Sequence, residues 1–268
     1  MEILLLRPLA GGRWKAMVRP GRRLAPGTAV DLPGRATAEI TGRFDDGTRE
    51  VALDTGPPLP AYLDAHGLTP LPPYIHRPEG EDEAFHRGRY QTVYAREPGS
   101  VAAPTAGLHF TPEILAALEG RGVEAARLTL HVGPGTFKPV QVEDIRRHRM
   151  DAEPYTIEPE AAGRIEAARA AGRRVLAVGT TVTRTLEAVA AAQGGRIAAG
   201  SGWTDLFIHP GFRFQVVGGL LTNFHLPGST LLMLVSAFAG REWALECYRE
   251  AVAREYRFYS YGDSMLIL

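Results

Sequence analysis

Residues 202–240 read GWTDLFIHPGFRFQVVGGLLTNFHLPGSTLLMLVSAFAG. Within this stretch Asp205, His209 and His225 can move protons near neutral pH, and Asn223 and Ser229 can orient polar groups. Upstream, Thr105 and His109 sit in one turn-rich loop, and Phe110 follows directly. His131 runs into Gly133, Gly135 and Thr136, a Gly-Pro-Gly-Thr turn that lets backbone approach a ligand closely. It is not a phosphate-binding Walker loop, because the Gly-Lys-Ser/Thr ending is absent. Thr180 and Thr181 follow Gly179 at a strand-to-helix junction, the place where α/β proteins hold polar ligand groups. Such residues suit acid–base chemistry in a polar pocket. Each also has a plain structural reading: a capped helix, a satisfied core histidine, a solvated loop.

The elements that position them alternate in type. Ser229 is a good N-cap for an apolar helix over residues 230–239, which Gly240 stops. The spacing predicts helices over 82–96, from Pro112 to Gly120 or Gly122, over 158–172, from Gly179 onward, and over 241–255. Strands are predicted over 123–132 and 173–178, with a strand, turn and strand over 257–268 carrying Tyr259 and Asp263. The first 56 residues read differently. Five short strand-like runs are separated by Gly, Pro and Asp turns, and a small antiparallel β-barrel is the expected closure. Residues 57–78 are a proline-rich linker with room for a short helix at 61–66. The expected fold is an α/β main domain over 79–268 with a small β-barrel domain over 1–56.

Composition narrows the function classes. Lys plus Arg equals Asp plus Glu at 30 each, so any basic surface is local. Arg13, Lys15, Arg22 and Arg23 form one such cluster, and Arg146 and Arg149 belong to another. Both are candidates for phosphate-backbone contact, and both can be read as solvated faces. Cys247 is alone, so no disulfide framework or cysteine metal cluster is expected. The longest apolar run is about half of what a spanning helix needs, so no membrane association is expected, and the chain is read as cytoplasmic. A metal-dependent hydrolase built on His109, His131, His209 and His225 is one alternative, although no His-x-x-x-His pair supports it.

Several long motifs together resemble the S-adenosylmethionine:tRNA ribosyltransferase-isomerase family of queuosine biosynthesis. They are PTAGLHFT (104–111), LHVGPGTFKPV (130–140), GTTVTRTLE (179–187), TDLFIHPGF (204–212) and LTNFHLPGSTLLMLVSAF (221–238). YQTVYA (90–95), HRMDAEPY (148–155) and YRFYSYGDSMLIL (256–268) fit as well. The resemblance implies a β-barrel and an α/β domain. It implies transfer of the ribosyl part of S-adenosylmethionine to the aminomethyl group of a 7-deazaguanine at the tRNA wobble position. Epoxyqueuosine forms, and adenine and methionine leave. S-adenosylmethionine is then a co-substrate and wobble-modified tRNA the partner, with no bound cofactor, no metal and a monomeric enzyme. The family's pattern carries further residues ahead of Met1, including an Asn-Asp-Thr-Arg-type stretch of the α/β domain. A tRNA-binding fragment without turnover is therefore the second alternative. His109, His225, Asp205 and His209 are the candidate catalytic groups. Thr105, Phe110, His131, Gly133, Gly135, Thr136, Thr180, Thr181, Asn223, Phe224, Ser229, Tyr259 and Asp263 are the candidate substrate contacts.

Overall fold

The computed structural model describes residues 1–72, 74–75, 83–133, 135, 140, 142 and 144–268. The chain divides into two compact units, Met1–Leu71 with Arg77–His86, and Pro72–His76 with Arg87–Leu268.

The first unit is a five-stranded antiparallel sheet in the order β1-β2-β5-β4-β3. Its strands are β1 (Glu2–Pro8), β2 (Arg13–Arg19), β3 (Ala29–Asp31), β4 (Thr37–Arg43) and β5 (Arg49–Asp54). Alternation along β4 buries Ala38 and Ile40, which join Ala16, Leu24, Val30 and Val51 in a core on one face. Arg49 is buried, and Nε and Nη2 donate to the carbonyls of Leu24 at 2.8 Å and Gly21 at 2.7 Å. A side chain on the sheet thereby ties down the loop between β2 and β3. The barrel expected from the turn spacing does not close. Among the described residues no ladder joins β1 to β3. With three residues, β3 offers too few backbone groups to complete a ring. Helix α1 (Leu59–His66) occupies the short helical site expected in the proline-rich stretch.

The second unit holds two three-stranded sheets. One has the order β11-β10-β8, from β8 (Val175–Val178), β10 (Val217–Asn223) and β11 (Ser264–Ile267). β8 and β10 run parallel, and β10 and β11 antiparallel. The other is antiparallel in the order β6-β7-β9, from β6 (Thr129–Leu130), β7 (Glu153–Ile157) and β9 (Gly200–Thr204). The main core gathers Ile165 of α4 (Pro159–Ala170), Leu186 and Val189 of α5 (Thr180–Ala192), Leu220 of β10 and Leu234 of α6 (Thr230–Ala239). A second core packs Phe224 and Val235 against Ala244 and Tyr248 of α7 (Arg241–Ala253). Glu187 is fully buried on α5, and its carboxylate accepts the N–H groups of Gln215, Val216 and Val217 at 2.7, 3.0 and 2.9 Å. That carboxylate fixes where β10 begins.

Several expected elements are shorter than the pattern suggests. The helix over 82–96 is observed as α2 (Glu83–Arg89), whereas the helix expected from Pro112 forms as α3 (Pro112–Glu119). Gly88 weakens the last turn of α2, and β-branched Thr92 and Val93 follow. The strand over 123–132 reduces to β6, because β7 pairs only with Thr129 and Leu130. The terminal strand, turn and strand is a turn region followed by β11 alone.

Candidate active site

The ends of β8 and β10 build the site. Because the two strands are parallel, their carboxyl ends open at the same edge, where α/β sheets place ligands. At the end of β8, Gly179 turns the chain into α5 with φ +97°, a conformation open to glycine. The end of β10 leads through Phe224 and His225 to Ser229, the N-cap of α6. Between them lies a cleft with about 790 Å³ of empty space, open solvent included. Thr180 and Thr181 line one side, and Asn223, Phe224, His225 and Ser229 another. Thr105, Tyr259, Tyr74 and Ser260 contribute further walls. Among the described lining residues there is no Asp, Glu, Lys or Arg.

Asn223 organises this region. Its side-chain nitrogen donates to the carbonyls of Tyr259 at 3.2 Å and Gly262 at 3.5 Å, which identifies it as the NH₂ end. The same nitrogen lies 3.1 Å from His109 Nε2, which must then accept. Neutral His109 therefore carries its proton on Nδ1 and offers an N–H. Burial lowers the His109 pKa and the nearby Asp263 carboxylate opposes that shift, with the net effect downward. His225 is buried, its Nε2 is 2.7 Å from the Thr222 hydroxyl, and burial pushes its pKa down to about 4. The Tyr248 hydroxyl accepts the His225 backbone N–H at 2.9 Å. Tyr259 holds a left-handed φ of +74°, unusual for a tyrosine. The strain is braced by Tyr259 N–H to Phe224 O at 2.9 Å and Gly262 N–H to Tyr259 O at 3.1 Å. Its ring packs 5.0 Å from that of Tyr74.

The expected site residues divide into those brought together and those placed elsewhere. Thr105, Thr180, Thr181, Asn223, Phe224, His225, Ser229 and Tyr259 line the one cleft, and His109 joins through Asn223. Leu130 and Val132 line it too, so His131 between them turns away and packs against Gly99. Gly133 donates its N–H to Glu153 at 3.3 Å, and Gly135 lies against Asp151. Thr136 falls outside the described residues. Phe110 is half-buried beyond the cleft, and Asp263 accepts the Arg257 N–H at 2.7 Å. Asp205 is exposed, and His209 Nδ1 lies 3.0 Å from the Pro210 carbonyl with its ring against Phe207. The four histidines thus do not converge as a metal-dependent hydrolase would require. Of the basic residues, Arg13 pairs with Glu50 and Lys15 with Asp46, each at 2.6 Å. Arg22, Arg23 and Arg149 are exposed, and the Arg146 side chain falls outside the described residues.

Sequence reasoning missed three contributors. Tyr74 comes from the proline-rich stretch, Ser260 from the turn before β11, and Thr222 from β10, which no expected element covers. The one signal for β10 is its apolar run, Val216–Val217 and Leu220–Leu221 around two glycines, since a buried parallel strand loses its alternation.

The family profile described as Queuosine biosynthesis protein matches residues 1–267. An S-adenosylmethionine:tRNA ribosyltransferase-isomerase of Heliobacterium modesticaldum is 56% identical over all of this chain and 77% of its own length. A protein of the same name from Moorella thermoacetica is also 56% identical, with the same coverage. A crystal structure of an S-adenosylmethionine tRNA ribosyltransferase from Thermotoga maritima is 36% identical, covers 99% of this chain and 74% of that one, and has a TM-score of 0.49.

Proposed function

The chain belongs to the queuosine biosynthesis protein family, and from that membership we propose that it is an S-adenosylmethionine:tRNA ribosyltransferase-isomerase. The ribosyl moiety of S-adenosylmethionine passes to the aminomethyl group of a 7-deazaguanine at the tRNA wobble position. Epoxyqueuosine is formed, and adenine and methionine are released. S-adenosylmethionine is the co-substrate and tRNA the acceptor. The enzyme works as a cytoplasmic monomer, with the sheet unit and the α/β unit as its two domains and no metal in the reaction.

The observation that carries the reading at residue level is the Asn223–His109 pair beside a cleft with no charged lining. Neutral His109 is an N–H donor here, the arrangement in which an uncharged imidazole stabilises developing negative charge. We assign it to the departing adenine. His225, held neutral by burial, accepts a proton through the ring nitrogen that Thr222 does not engage. Tyr74, Phe224 and Tyr259 give the sulfonium aromatic faces. Asp205, His209, His131 and Asp263 take no direct part in this assignment. Arg22, Arg23 and Arg149 are assigned to tRNA phosphates.

Single-turnover adenine release from S-adenosylmethionine and wobble-modified tRNA tests the assignment. His109→Ala should slow it by about 10²–10⁴-fold with the thermal transition unchanged. Wild-type rates in that variant remove His109 from the mechanism, and no adenine release by the wild-type chain removes the function.

A further inference from the structure

The helix start that awaits a ligand is not the one the sequence emphasises. α6 caps itself: Ser229 Oγ accepts the Leu232 N–H at 3.2 Å and donates to Leu226 O at 2.7 Å. α5 has glycine at its N-cap and no side-chain cap. The first N–H groups of a helix lack intrahelical acceptors. In α5 they belong to Thr180, Thr181 and Val182, all three lining the cleft. The helix runs 13 residues, long enough for its dipole to concentrate positive potential there. No basic side chain among the described lining residues competes for an anion.

A second, independent feature points to the other half of the ligand. Asn223 is 1% exposed and lines the same cleft. Its nitrogen is fully engaged, but Oδ1 is buried without a partner among the described residues. A buried acceptor left open costs free energy unless a donor arrives. An uncapped helix start and an open carbonyl oxygen on one cleft are complementary to a carboxylate and an ammonium carried on one carbon.

We infer that Thr180–Val182 at the start of α5, with Asn223 Oδ1, form the subsite for the amino-acid end of S-adenosylmethionine. The inference rests on the proposed function and specifies which end of that substrate lies where. The carboxylate takes the free N–H groups of α5, and the ammonium donates to Asn223 Oδ1. The sulfonium and nucleoside then extend toward the aromatic wall and His109.

Calorimetry with two ligands tests this on the unmodified protein. Decarboxylated S-adenosylmethionine keeps the sulfonium, nucleoside and ammonium and lacks only the carboxylate. It should bind about 10- to 100-fold more weakly than S-adenosylmethionine. Equal affinities overturn the subsite while leaving the function standing. Binding of neither ligand overturns the function and the subsite with it. In a second arm, Thr181→Asp puts a carboxylate where the ligand's would sit, at a helix start that tolerates acids. S-adenosylmethionine affinity should fall by about tenfold or more. Affinity for the decarboxylated ligand should hold or rise. Parallel loss of both ligands in a variant with the wild-type melting transition overturns the assignment.

Discussion

Glu153→Gln tests the ion pair behind the site. Arg184 is 2% exposed and Glu153 4%, with Nη1 to Oε2 at 2.7 Å. The guanidinium also donates from Nε to Leu206 O at 2.8 Å and from Nη2 to Thr204 O at 3.4 Å. One side chain of α5 thus joins β7 to the segment leaving β9, while Glu153 receives the Gly133 N–H. Glutamine keeps the shape and one acceptor oxygen but, among the described residues, leaves the buried guanidinium with carbonyl partners and no carboxylate. Removing one partner of a buried pair costs about 3–5 kcal/mol, and the retained hydrogen bond places this variant near 3. That is a large part of the 5–15 kcal/mol typical of a whole fold. At about 2–4 °C per kcal/mol, the transition should fall by about 6–12 °C. Urea denaturation followed by tryptophan fluorescence and calorimetry would measure both quantities. Glu153→Met with Arg184→Met should recover much of the loss, because no charge is then left buried. A loss under about 1 kcal/mol, or a double variant no more stable than Glu153→Gln, would refute the reasoning.

Two further outcomes follow from the same groups and charges. Burial lowers the His225 pKa to about 4, below the unfolded value of about 6.5. The unfolded chain therefore binds the extra proton first, and this contribution is complete above about pH 6.5 and lost as pH falls toward 4. Unfolding free energy should decline by about 3 kcal/mol across that window, and His225→Gln should flatten the decline; an unchanged slope in the variant contradicts it. Arg22→Glu with Arg23→Glu should weaken tRNA binding and lower the salt dependence by about one unit of slope for each phosphate no longer neutralised. S-adenosylmethionine affinity should stay constant, and unchanged tRNA affinity removes these arginines from the footprint.

Local chemistry was legible where it was self-contained. Ser229 before an apolar decapeptide specifies a capped helix, and Gly179 before Thr180 and Thr181 specifies a strand-to-helix turn. The open sheet, the loss of residues 123–128 as strand and the hidden β10 depend on partners. Whether a strand forms is decided by the strand beside it, and β10 finds β8 about 40 residues upstream. His131 was legible as a reactive type, but the side it faces was not. One-residue alternation separates His131 from Leu130 and Val132, and nothing local says which face of the ladder meets the cleft. Tyr74 was unreadable for another reason. A tyrosine among prolines looks like linker until Ser260 donates its backbone N–H to the Tyr74 hydroxyl at 3.0 Å.

The charges that looked catalytic in the sequence lie mostly outside the cleft, and the proposed chemistry explains why that arrangement works. In the reaction proposed above, the proton that His225 accepts leaves the carbon beside the sulfonium. The starting cation loses its net charge in that step and becomes an ylide. A carboxylate against the sulfonium would stabilise the charged form and oppose the loss. Tyr74, Phe224 and Tyr259 hold the sulfonium by their ring faces, a weaker attraction than a carboxylate's, and so oppose the loss less. Burial alone makes the cationic form of His225 give up a proton more readily. The same burial makes His225 a weak base, so transfer from the sulfonium carbon to its ring moves one positive charge within the cleft rather than removing it. The fixed positive potential is then best supplied at a distance by a helix start, which holds the substrate's carboxylate and leaves the reacting carbon in neutral surroundings.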